Sequence, residues 1–168
     1  SERLSNKNDT LVFYLTQDIE TTYRKTKDYK SQLKYAFKER ELALKLKLNY
    51  GGIDASIGDA YQNLNMLDSA LYHFNKDYEF SKSDKEYNGN LTPVINLGEI
   101  NLRLGETDVA LSYFKKVLKE QKKETHLSEH NLGYLYKTMI EAMNAEKTAW
   151  KDSLDRNHTK IETVESKT

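Results

Sequence analysis

Apolar residues recur along this 168-residue chain at the three-to-four spacing of helices, not at the alternation of strands. Leu11, Tyr14, Leu15, Ile19 and Tyr23 share one side of a predicted helix over residues 10–25. After Thr26-Lys27-Asp28, a second helix carries Leu33, Phe37, Leu42, Ala43 and Leu46 to about residue 48. Asn49-Tyr50-Gly51-Gly52 reads as its stop, because Gly takes the left-handed conformation that ends helices. Further helices are predicted over 53–64, over 69–81 behind an Asp68 cap, and over 108–123 behind a Thr107 cap. Thr92-Pro93 is read as the start of a helix ending at Leu104, not as a kink in a longer one, since Pro suits a first turn. A helix opening at Thr125 or Ser128, a break at Asn144 and a last helix from Ala145 towards Glu165 complete eight.

A longer period lies over the helical one. Ile57-Gly58, Tyr61, Ala70 and Phe74 align with Leu97-Gly98, Asn101, Ala110 and Phe114, forty residues on. Tyr23, Tyr29, Leu33 and Ala36 match more loosely before them, and Leu132-Gly133, Tyr136, Ala145 and Ala149 after. Gly58, Gly98 and Gly133 are placed to let paired helices approach, with Ala70 and Ala110 doing so from the partner helix. Tyr61, Phe74 and Phe114 fill the space between pairs. Glycine inside a helix costs about 1 kcal/mol, so its recurrence at one register argues for tight packing. The expected fold is all-α: a right-handed α-solenoid of about four antiparallel helix pairs. Its organisation is a tail at 1–9, one domain at 10–156 with units of 10–48, 51–83, 92–123 and 126–156, and a helix end or disordered tail at 157–168.

Composition narrows the function. The 26 basic and 26 acidic side chains balance, so nothing calls for nucleic acid. The lysines at 115, 116, 119, 122 and 123 lack the interleaved aromatics of a nucleic-acid surface. The balance is uneven along the chain: residues 1–50 are net about +4 and residues 51–100 about −5. The absence of Cys excludes disulfides and thiolate metal sites, and no apolar run is long enough to insert in a membrane. The chain opens at Ser1 without Met and is read as part of a longer protein, on either side of a bacterial inner membrane.

The repeated residues resemble the tetratricopeptide (TPR) family across residues 10–150, most closely over 57–74 and 97–114. The forty-residue spacing exceeds the family's usual 34 or so and is similar to the long-helix variety of bacterial sensor kinases and regulators. Ala149-Trp150-Lys151-Asp152-Ser153-Leu154 also resembles the closing helix before a signalling segment in such sensors. The resemblance implies a non-enzymatic scaffold for a protein or peptide ligand, the sensory or partner-recruiting part of a larger signalling protein. It implies no cofactor and no catalytic residue. Self-association through an end pair is the alternative, supported by exposure of Phe13, Tyr14 or Trp150; a helical phosphatase-type regulator is the remoter one.

The resemblance also places the first helix of each pair along a concave groove. The groove candidates are Gln17, Thr21, Arg24 and Lys25; Asp59, Gln62 and Asn63, with Ala55; Glu99 and Arg103, with Ile95 and Leu102; and His130, Tyr134 and Lys137, with Thr138. Tyr134 is the expected stacking anchor. Family members that grip a C-terminal carboxylate do so with Lys and Asn; Asp59 and Glu99 at the matching places repel one. His126 and His130 share a helix face beside Glu129 but lack a ligand from a second segment, so no metal site is expected. His73 and His158 look isolated, with no nucleophile or acid arranged around them.

Overall fold

The computed structural model describes residues 2–48, 51–84, 90–121, 135 and 137–148, with the backbone alone for 2–7 and 121. Six helices run in order: α1 (Glu2–Lys25), α2 (Tyr29–Leu46), α3 (Ile53–Asn63), α4 (Leu67–Ser83), α5 (Thr92–Arg103) and α6 (Thr107–Gln121). Each helix packs on the next, α1 with α2, α3 with α4, α5 with α6, and α2 and α4 bridge successive pairs. The architecture is the expected α-solenoid of helix pairs. Residues 137–148 form a further helix whose neighbour Leu135, with Met139 and Ala142, packs on the core of α5 and α6.

The repeat is sharpest in the turns inside the pairs. Lys27, Asn65 and Gly105 all sit at positive φ (60°, 60° and 85°). The next residue in each turn donates back across six residues: Asp28 to the Tyr23 carbonyl, Met66 to Tyr61, Glu106 to Asn101, at 3.0, 2.9 and 2.9 Å. This is one Schellman ending used three times. It sets the register independently of the side chains: Tyr23, Tyr61 and Asn101 are equivalent, and so are Glu20, Gly58 and Gly98.

Close packing explains the two glycines. A Cβ built on Gly58 lies 2.6 Å from Phe74 Cε1, and one on Gly98 lies 2.7 Å from Phe114 Cδ1. The aromatic rings of α4 and α6 therefore occupy the space a side chain on α3 or α5 would need. Both rings are buried, Phe114 completely. Gly133 lies outside the described residues.

Several boundaries differ from expectation. α1 begins at Glu2, so residues 2–9 extend the helix instead of forming a tail. That stretch holds no Gly or Pro, and Asp9 pairs with Lys45 of α2 at 2.8 Å. α2 ends at Leu46 with Lys47 in the left-handed cap, ahead of the Gly pair. Asp68 falls inside α4, whose N-cap is Met66. Asn90 helps close the start of α5: its side chain accepts from the Thr92 N–H at 3.0 Å, while Thr92 is itself helical. No break occurs at Asn144; the helix runs on to residue 148, because Ala145, Glu146 and Lys147 are good helix formers.

Candidate functional site

One groove touches the first helix of three consecutive pairs. Its volume is about 300 Å³, and its walls are Arg24 from α1, Ala55, Ser56, Asp59 and Gln62 from α3, and Thr92, Asn96 and Glu99 from α5. Gly52, at the cap of α3, lines one end, and Phe74 contributes from α4. The helical repeat of three to four residues brings Gly52, Ser56, Asp59 and Gln62 onto one face of α3, and Thr92, Asn96 and Glu99 onto the equivalent face of α5.

Amide side chains organise the carboxylates of this wall. Buried Gln32 of α2 donates from Nε2 to Glu20 Oε1 at 2.9 Å and to Asp59 Oδ2 at 3.1 Å. Asn63 donates to the other Asp59 oxygen at 3.1 Å. Gln62 donates to Glu99 Oε1 at 2.8 Å, joining α3 to α5. The amide oxygens of Gln32 and Gln62 are buried and have no hydrogen-bond partner.

The sequence candidates divide accordingly. Arg24, Asp59, Gln62 and Glu99 meet in the groove, with Ala55 beside them. Gln17 does not: it donates to Glu39 of α2 at 3.2 Å. Thr21 donates to Glu20, and Asn63 is spent on Asp59. Arg103 donates to the Gln62 main-chain carbonyl at 2.9 Å, which also accepts the Asn65 N–H at 3.1 Å. Lys25 is exposed beyond the groove lining. Ile95 and Thr138 are buried, and Leu102 packs against the core, so none of the three lines the groove. Lys137 is exposed with Glu141 of its own helix 3.9 Å away. His126, His130 and Tyr134 lie outside the described residues. Among the described residues no group of three His, Asp or Glu is placed to hold a metal, and no helix is long and apolar enough to cross a membrane.

Sequence reasoning missed Ser56, Asn96, Gly52 and Thr92. A signal was present: each pair is forty residues apart, and Ser56 and Asn96 stand three residues before Asp59 and Glu99. Sequence reasoning also missed the environment of His73. Its Nδ1 lies 2.7 Å from Asp54 Oδ1, which also pairs with Arg40, and its ring stacks on Tyr61 at 5.5 Å between centroids. This partly buried network joins α2, α3 and α4 away from the groove lining.

Two buried carboxyl groups, Glu39 on α2 and Asp77 on α4, hold their protons above the ordinary carboxylate range. Burial, reinforced by the charge of Glu20, pushes Glu39 up to about 7, against the opposing hydrogen bond from Gln17. Burial also pushes Asp77 up to about 6, offset by a hydrogen bond from the Gly52 backbone and helped by Asp54. Glu39 and Asp77 are equivalent in the repeat; the third pair has Val117, fully buried, at that place.

No protein-family model matches the chain, and no curated protein matches it. Among solved structures it is similar to the Arabidopsis OM64 TPR domain, with a TM-score of 0.57 and 16% identity. The alignment covers 86% of this chain and 98% of that one. At this identity the likeness speaks to the fold alone: a TPR-like stack of helix pairs.

Proposed function

We propose that the chain is a non-enzymatic protein-binding scaffold that seats an extended segment of a partner in the groove across α1, α3 and α5. The observation that carries this is the continuity of one cavity over three successive pairs. A site built that way fits a ligand with length, such as a peptide, and its polar wall suits reading by hydrogen bonds and charge. The regulatory setting implied by the sequence resemblance belongs to the same proposal: the domain would recruit partners for a larger signalling protein. The test is a peptide array probed with the wild-type chain and with Ala55→Trp/Asn96→Trp, which fills the groove from both walls. Binders lost in the filled variant support the reading. Binders equally retained by both proteins defeat it.

A second reading has its own observation. Leu11, Tyr14, Leu15 and Ile19 leave 39–58% of their surface exposed on α1, although Phe13 is fully buried and Trp150 lies outside the described residues. An apolar stripe left exposed on a helix suits self-association. Sedimentation of the wild type against Leu15→Glu decides it: a concentration-dependent mass that disappears in the variant supports stacking of copies, and a monomer in both removes it.

A further inference from the structure

Asp59 and Glu99 hold the same place in successive pairs, both half-buried on the groove wall. Their donors are the neutral amides of Gln32, Asn63 and Gln62. Among the described residues no basic nitrogen lies within 4.0 Å of either carboxylate. Arg24 stays outside that distance on the rim, and Arg103 is engaged by the Gln62 carbonyl. Amide donors fix where the carboxylate oxygens sit and leave their charge uncancelled. The surrounding sequence, residues 51–100, adds to the negative field with a net of about −5.

A separate observation points the same way. Gln62 is more than nine-tenths buried and lines the same cavity, and its Oε1 has no donor. A buried carbonyl oxygen without a donor is uncommon in folded proteins and marks a place where a hydrogen-bonding group fits. Two uncancelled carboxylates and a carbonyl oxygen without a donor thus belong to the same stretch of groove wall.

We propose that the groove wall between α3 and α5 takes a lysine or arginine side chain from the partner segment, held between Asp59 and Glu99 with Gln62 as a further acceptor. This deepens the groove reading and rests on it. Lysine and arginine heads carry donors and no acceptor, the complement of two carboxylates whose charge is uncancelled. Their bonds to carboxylates are charge-assisted, and stronger for being partly shielded from water. An acidic side chain at the same spot would meet two like charges.

The experiment is an NMR titration of the isotope-labelled chain with three acetylated, amidated peptides alternating serine with arginine, citrulline or glutamate. Citrulline keeps the shape of arginine without the charge. The arginine peptide is expected to shift the amides of Ser56, Asp59, Asn96 and Glu99 and to bind on the order of tenfold more weakly to Asp59→Asn/Glu99→Gln. Asn96→Lys provides a second route: it keeps both carboxylates and their amide donors but places its own ammonium in the cavity, and the same weakening is expected. Glu106→Gln, an exposed acid outside the groove lining, should bind as wild type does. Equal shifts from the arginine and citrulline peptides overturn the role of charge. Groove shifts from the glutamate peptide alone, lost in Arg24→Ala, overturn this inference and leave the groove reading standing. If no peptide moves the groove amides, both fall.

Discussion

The first and third helix pairs share a turn geometry and oppose each other in chemistry. In α5 and α6 the pair closes on Gly98, Ala110, Phe114 and Val117, all buried and apolar apart from the backbone. The equivalent places in α1 and α2 hold Glu20, Gln32, Ala36 and Glu39, equally buried. The middle pair is mixed, with Gly58, Ala70 and Phe74 but Asp77 in the last place. Polarity therefore falls from the first pair to the third on an almost unchanged backbone. Where the third pair seats a ring over a glycine, the first fills the room left by Ala36 with the Glu20 carboxylate, bonded to Gln32. Two solutions to one packing problem show that the fold requires a filled space between the helices, not a particular filling.

The largest effect is expected from Phe114→Ala, which gives the third pair the small residue the first already has. Without a Glu20 equivalent to fill the gap, it should cost about 3–5 kcal/mol by chemical denaturation. Its logical partner is Gly98→Ala. An ordinary helical Gly→Ala gains about 1 kcal/mol; here the added methyl meets the Phe114 ring, and a net loss of about 1–3 kcal/mol is expected from overpacking. In the double variant the two losses should not add, because the methyl then enters the space vacated by the ring. Additive losses would mean that ring and glycine do not contact.

A finer effect separates the polar pairs from the apolar one by pH. Glu39 holds its proton in the fold up to about 7, whereas an unfolded glutamate releases it near 4.5. The folded state thus binds more protons between those values, so stability is greatest at the acid end and falls as pH rises through about 7. Asp77 adds a second such loss between 3.8 and about 6. Melting curves across this range should flatten in Glu39→Gln. Glu39→Val, which copies the third pair, should melt higher than wild type above pH 7 if its size is accommodated. A steady rise in melting temperature from pH 5 to 7 would contradict the burial of both groups. The smallest effect belongs to the Lys45–Asp9 pair, whose lysine is exposed: Lys45→Ala should change stability by at most about 1 kcal/mol.

The sequence made the third pair far more legible than the first. Gly98, Ala110 and Phe114 announce a tight crossing because each is the extreme of its kind, smallest or largest. Glu20, Gln32 and Glu39 have the composition of solvated surface, and only their partners across α1, α2 and α3 make them interior. Those contacts are not encoded by helical periodicity. The groove divides the same way. Asp59 and Glu99 were readable because they repeat, whereas Arg103 looked available and is committed to a carbonyl on the neighbouring helix. Lys27, Lys47 and Asn65 were hidden for a local reason: Gly is the usual marker of a left-handed ending, and only Gly105 among the three turns inside the pairs carries it.

Gln62 links α3 to α5 twice, giving a side-chain amide to Glu99 and receiving Arg103 on its carbonyl. Mechanically it works as a tie between adjacent coils of a spring, placed on the side that lines the groove. A molecule drawn against Asp59 and Glu99 would load the very link that joins their helices. Occupancy of the groove and curvature of the whole stack then become a single variable. Small-angle scattering of Gln62→Ala/Arg103→Ala, which removes both links, should show a longer particle even with nothing bound.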